Sequence, residues 1–120
     1  MSQMLDGNYK AFPAGGAIGK FLLVKWGAGV LAVAGTTEEY VGVSMHDVFA
    51  IGETMLVRLR SGSGTCKMTA GEGIAQGAVV FGKASGLIGD SIVASEIRAG
   101  IALEAATNSG DIIEVLTGSP

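Results

Sequence analysis

Two stretches decide how this chain folds: "GVSMHDVFAIGETMLV" (42–57) and "GIALEAATNSGDIIEV" (100–115), set 58 residues apart. Each opens on glycine, a β-branched residue, a small residue and Met or Leu. Each then runs through a loop to a glycine–acid pair and leaves in an apolar–polar alternation. Gly42 falls on Gly100, Gly52 on Gly110 and Val57 on Val115. Carried back without a gap, the same offset sets Gly15 on Gly73, Ala17 on Ala75, Gly19 on Gly77 and Lys25 on Lys83. A constant offset with a shared local pattern marks an internal duplication.

The repeated units read as β structure. Glycine occurs 20 times and proline twice in 120 residues, and short apolar runs fill the gaps. Long runs with a helical period are missing, which is the pattern of short strands joined by tight turns. In "TMLVRLR" (54–60), Met55, Val57 and Leu59 share one face and Leu56, Arg58 and Arg60 the other, as in a half-buried strand. "DIIEVLT" (111–117) sets Ile113 and Val115 together with Glu114 opposite. "KFLLVKW" (20–26), "GVLAVAG" (29–35), "YVGVSM" (40–45), "AVVFG" (78–82) and "IRAGIAL" (97–103) read as further strands. The last lies among helix-forming residues, and a strand is the stronger reading.

Two such units, each burying a face on the other, predict an all-β fold. The expected form is a small closed or nearly closed β-barrel or sandwich, built from two similar β units with a pseudo-two-fold repeat. A chain of 120 residues is one domain, 1–120. Within it an extended N-terminal arm is expected at 1–12, unit one at 13–62 and unit two at 63–120. "RSGSGTCKMTAGEG" (60–73) is then the hinge between them.

Composition excludes several roles. Net charge is −3 and the eight Lys and Arg residues are scattered, which argues against nucleic acid and against a polybasic membrane contact. The first ten residues lack the pattern of a signal peptide, and Lys25 breaks the most apolar window, 21–35. A soluble, reducing compartment is expected. Cys66 is the only cysteine, so an intramolecular disulfide is ruled out. Charged residues make up only 16% of the chain, which favours a surface partly covered in an assembly.

Each chemical motif fails on its own terms. A phosphate loop needs a second glycine where Cys66 stands and a hydroxyl where Met68 stands, and "TAGEG" does not open a helix. Cys66 has no base beside it and reads as a small apolar side chain in a strand or turn. "SMHD" (44–47) reads as a polar loop after a strand, because a triad is assembled in space rather than along one strand. His46 is the only histidine, too little for a metal site. No catalytic residue, cofactor or metal is expected. Tyr9 and Phe12 are candidate interface anchors on the arm. Trp26 has two readings, a core residue or an exposed anchor of the kind enriched at binding hot spots.

The blocks "VGVSM…AIGETMLVRLRSG" (41–62), "AGEGIAQGAVV" (70–80) and "AGIALEAATNSGDIIEVL" (99–116) resemble the small capsid decoration, or cement, proteins of tailed bacteriophages. The resemblance covers nearly the whole chain and rests on glycine and β-branched patterns. It implies a β-rich, non-enzymatic protein on the outer surface of the virion, assembled in the host cytoplasm. Its partners would be the major capsid protein and itself, as a homotrimer at three-fold positions bracing the shell against internal DNA pressure. The arm would order on the capsid. The family has no catalytic or binding motif to transfer. The rival readings are a head-fibre or host-surface binding module, and a small β-barrel enzyme or ligand carrier.

Overall fold

The duplication appears in a computed structural model as two five-stranded antiparallel sheets. The structure describes residues 9–36, 38–60, 64–91 and 97–117. Sheet one holds β1 (Tyr9–Pro13), β2 (Leu23–Gly27), β3 (Val30–Val33), β4 (Gly42–Ser44) and β5 (Thr54–Leu59), in the order β1-β5-β4-β2-β3. Sheet two repeats this with β6 (Gly64–Thr69), β7 (Val79–Gly82), β8 (Ile88–Gly89), β9 (Arg98–Ala102) and β10 (Ile112–Thr117), in the order β6-β10-β9-β7-β8. In each sheet a single parallel bridge, Ala14 to Leu31 or Ala70 to Ile88, joins the two ends of the order. Each unit therefore curls nearly into a ring, and the two pack like the layers of a sandwich.

The strand pairings correct the gapless alignment. Phe12 faces Met55 as Met68 faces Ile113, and Val24 faces Gly42 as Val80 faces Gly100. β4 and β5 correspond to β9 and β10 at 58 residues, β1 and β2 to β6 and β7 at 56, and β3 to β8 at 57. Gly15 thus matches Gly71, not Gly73: their N–H groups donate to Leu31 O at 2.8 Å and Ile88 O at 2.7 Å. Phe21 matches Gly77, and both hold positive φ, 58° and 87°. The two extra residues of unit two lie between Val80 and Gly100. One falls in the β7–β8 connection, where a 3-10 turn (Ala84–Gly86) replaces a two-residue turn.

The expected hinge is also corrected. Gly64–Thr69 is strand β6, with Cys66 and Met68 turned inward and Thr65 and Lys67 outward. Residues 61–63 of that stretch lie outside the described residues. Its counterpart in unit one is β1, so residues 9–12 of the expected arm are sheet, paired with β5. Residues 1–8 of the arm lie outside the described residues. The stretch with two readings, 98–102, is strand β9.

Alternation decides what each strand buries. Val24 turns into unit one's own interior with Leu31, Met55 and Val57. Its neighbour Leu23 turns the other way, into a second core shared with unit two, where Tyr40 and Val43 join Met68, Val80 and Val115. Sheet one is thus covered on both faces, which is why Arg58, expected on the open face of β5, is 5% exposed. Its Nε donates to Thr65 O of unit two at 3.2 Å. Two backbone bonds also cross this seam, Thr69 N–H to Phe21 O at 3.0 Å and Gly86 N–H to Ala34 O at 2.9 Å.

The repeated glycine of the opening pattern has a steric cause. A Cβ on Gly42 would lie 2.1 Å from Arg58 O, and one on Gly100 would lie 2.3 Å from Leu116 O. Each is a point where the short middle strand presses on the last strand of its unit, and only glycine fits.

Candidate functional site

The reactive side chains are committed to the backbone. Ser44 is fully buried; its Oγ donates to Gly19 O at 2.7 Å and accepts Leu22 N–H at 3.0 Å. Asp47 Oδ1 accepts Lys20 N–H at 2.9 Å. His46 Nε2 accepts Leu56 N–H at 3.1 Å, and Nδ1 lies 3.1 Å from Asp47 O. In unit two Glu104 Oε1 fills the same place, accepting Glu114 N–H at 2.9 Å. An imidazole and a carboxylate therefore do one structural job in the two copies. Cys66 is buried, with Sγ 3.5 Å from Lys67 O, and burial pushes its thiol pKa up. That is the reverse of what a nucleophilic cysteine needs. Among the described residues no group of three or more His, Cys, Asp or Glu side chains could hold a metal ion.

The candidate anchors lie at or just beneath the surface. The β2–β3 hairpin turns on Ala28 and Gly29, with φ of 54° and 80°, between the facing pair Gly27 and Val30. Positive φ at both residues is the type I′ turn that suits the twist of a hairpin. Trp26, just before the turn, is 44% exposed. Its ring rests on Phe12, with centroids 4.9 Å apart and planes tilted by 48°. The structure thus brings two of the three candidate anchors together. Phe12 is buried and serves as the floor on which Trp26 stands. Tyr9 is exposed but is not part of that pair: it lines a depression at the seam beside Arg58, Lys67 and Glu114.

Sequence reasoning passed over a second apolar feature. The loop from β4 to β5 carries Phe49 at 78% exposure and Ile51 at 74%. Its backbone is fixed: Phe49 N–H donates to Glu53 Oε1 at 2.9 Å, and Gly52 N–H donates to Ala14 O at 2.8 Å. The unit-two loop makes the same bonds, Thr107 N–H to Asp111 Oδ2 at 2.9 Å and Gly110 N–H to Ala70 O at 2.7 Å. Its tip, however, reads Thr107, Asn108, Ser109 where unit one has Phe49, Ala50, Ile51. The signal was available in the 58-residue alignment, which is correct in this half.

A family model described as phage cement protein matches residues 12–117. No curated protein matches the chain. Among solved structures, the N base of head fiber gp8.5 in bacteriophage phi29 is similar, with a TM-score of 0.73 and 18% identity over 91% of this chain and 93% of that one. At that identity the likeness is one of fold.

Proposed function

Since this chain belongs to the phage cement protein family, we propose that it binds the outer surface of an assembled icosahedral capsid and braces contacts between major-capsid-protein subunits. The observation that carries the reading is the span of the family match: residues 12–117 take in both sheets, so the likeness is to the whole described fold. The structural commitment of Ser44, His46, Asp47 and Cys66 supports a binding role over a catalytic one. The protein acts as a homotrimer on the virion exterior, after assembly in the host cytoplasm. Several copies sharing contacts gain affinity by avidity, so each contact can be small. Trp26, propped on Phe12, is one interface anchor, and Tyr9 flanks a separate contact at the seam.

The test is to mix purified protein with undecorated capsids, before and after shell expansion, and image them. Saturable density at local three-fold positions is the expected result. Absence of binding to any shell state would overturn the reading. Binding to host cells or glycans with bare capsids would favour a head-fibre role, a reading that the shared fold with the phi29 head-fibre base keeps in view.

A further inference from the structure

We propose that the unit-one loop 45–53 docks on a second copy of this chain, with Phe49 and Ile51 seated in the hollow of that copy's β2–β3 hairpin. The inference rests on the homotrimer of the reading above and names a contact that holds it together.

The knob and its seat are both features of unit one. Phe49 and Ile51 are 78% and 74% exposed, the highest values among the exposed large apolar side chains described. Their loop is held before any partner arrives, by the Glu53 carboxylate on Phe49 N–H, the Glu53 N–H to Ala50 O bond and the φ of +89° at Gly52. A pre-ordered loop loses little entropy on docking. The hollow, about 360 Å³, is lined by Lys25, Trp26, Gly27, Ala28, Val30 and Ala32, all of the hairpin. Its wall is apolar except for Lys25. No residue of loop 45–53 lines it, so the chain does not fill its own seat.

Unit two is the internal control, and it lacks both halves of the pair together. Its loop keeps the same capped backbone with Thr107, Asn108 and Ser109 at the tip. Its β7–β8 connection is not an open hairpin: Gly86 lies against Leu22, Leu23 and Val33 of unit one. The fold therefore requires neither an apolar tip nor an open hairpin face. Unit one holds both, and each leaves apolar surface in water that the other can cover.

Charge agrees with this seat. The acids of the loop, Asp47 and Glu53, bring negative charge to its flanks while each accepts a backbone N–H. The one charged group in the wall of the hollow, Lys25, is a cation. Glu38 pairs with it at 2.5 Å, and an ammonium carries three donors, so a second carboxylate can share it. Opposite signs on the two surfaces favour this register over tip against tip. A knob that differs from its seat makes a heterologous contact, which closes when it repeats around a ring.

The test uses two variants of the full chain. F49T/A50N/I51S grafts the unit-two tip onto the loop. Ala28→Asp sets a carboxylate in the hollow, at a type I′ position where Asp before Gly is favoured. Far-UV circular dichroism should match wild type for both. Sedimentation equilibrium should give a trimer for wild type. Each variant should need a protein concentration on the order of a hundredfold higher to associate, as two buried apolar anchors are lost or a charge is trapped. Mixed in equal amounts, the variants should form a one-to-one dimer at concentrations where neither associates alone, because the graft keeps its hollow and Ala28→Asp keeps its tip. Folded variants that stay trimeric, a mixture that forms no pair, or a wild type monomeric in free solution would each overturn the contact. A graft that stays trimeric but no longer co-sediments with capsids would overturn it too, and put the loop on the shell. A wild-type trimer that binds no shell state, with both variants monomeric, would support the contact and remove the capsid role.

Discussion

The β2–β3 hairpin of unit one and the β7–β8 connection of unit two begin from the same place in the repeat and end in opposite surroundings. The first turns tightly on Ala28 and Gly29 and leaves Trp26 at the surface. The second widens into the Ala84–Gly86 turn and lays Gly86 against Leu22, Leu23 and Val33 of unit one. The register of β1 against β6 tells the same story. Lys10 faces Val57 as Cys66 faces Val115, yet Lys10 is exposed and Cys66 is buried in the seam. The strand order is the same in both units. Unit two adds Cys66 and Gly86 to the seam, and unit one holds the most exposed apolar side chains, Phe49 and Ile51.

Several measurements can break or sharpen this contrast. The largest effect is expected where the units are alike. Gly42→Ala and Gly100→Ala each drive a methyl into a carbonyl, and each should cost ~4 kcal/mol or more, a large part of a small domain's stability. Thermal or denaturant unfolding would report this, and tolerance of one but not the other would break the equivalence of the units. A smaller, asymmetric effect is expected at the two turns. Gly86→Ala combines a φ of +75° with a Cβ 2.6 Å from Val33 Cγ1, and should cost about 3 kcal/mol. Native-state labelling of Cys66, slow in wild type, should quicken in that variant as the seam loosens. Gly29→Ala has a similar φ of +80° but open space, and should cost only about 1 kcal/mol. Equal losses at the two glycines would mean that the seam contact adds nothing.

Trp26→Ala should lower stability by about 1 kcal/mol through its lost stacking on Phe12, measured by chemical denaturation. Its effect on capsid occupancy should be the greater one. The smallest effect is on acid stability. Ser91 N–H and Oγ bond to Glu72 Oε2 and hold that carboxyl below the ordinary 4.5, as Lys25 and Gly35 N–H do for Glu38 in unit one. A lowered folded pKa gives stability that is present above the unfolded value and lost as pH falls through the folded one. The thermal midpoint should therefore fall below about pH 4.5, and Glu72→Gln should flatten that limb. An unchanged acid slope in the variant would show that the Ser91 contacts are not formed in solution.

The sequence made the β class, the duplication and the second half of each unit legible, because Gly42, Gly52 and Val57 sit on features the backbone cannot do without. It misled in the first half. Gly15 and Gly73 align by identity, yet the hydrogen bonds assign Gly71 to Gly15. Glycine matches are cheap in such a chain, and an insertion between β7 and β9 is invisible to an ungapped comparison. β6 was hidden because Gly64 and the polar Thr65 and Lys67 look like a hinge, while its inward pair, Cys66 and Met68, is short. β1 was hidden in the same way behind Tyr9 and Lys10, whose exposure hides the burial of Phe12. Arg58 reads as a solvent-facing charge in any strand pattern. Only a second sheet laid over β5 buries it. Trp26 and Phe12 each stand out in the sequence, but no local pattern joins them, since thirteen residues and two strands of the sheet separate them. Phe49 and Ile51 were overlooked because an apolar residue in a loop gives no periodic signal. Comparison with the twin loop is what makes them stand out.

The pairing of the first strand of each unit with its fifth sets a timetable for the nascent chain. β1 waits for β5, and β6 waits for β10, so neither sheet closes until its last strand is synthesised. Contacts so distant along the chain form late in folding. Unit one can complete its own interior once Leu59 has emerged. The core that Leu23 and Val43 share with unit two is complete only when Thr117 follows, roughly 3–12 s later at ordinary translation speeds of about 5–20 residues per second. For that interval the half-made protein carries an apolar face not yet fully covered, and its yield in the cell depends on how quickly unit two arrives to complete the cover.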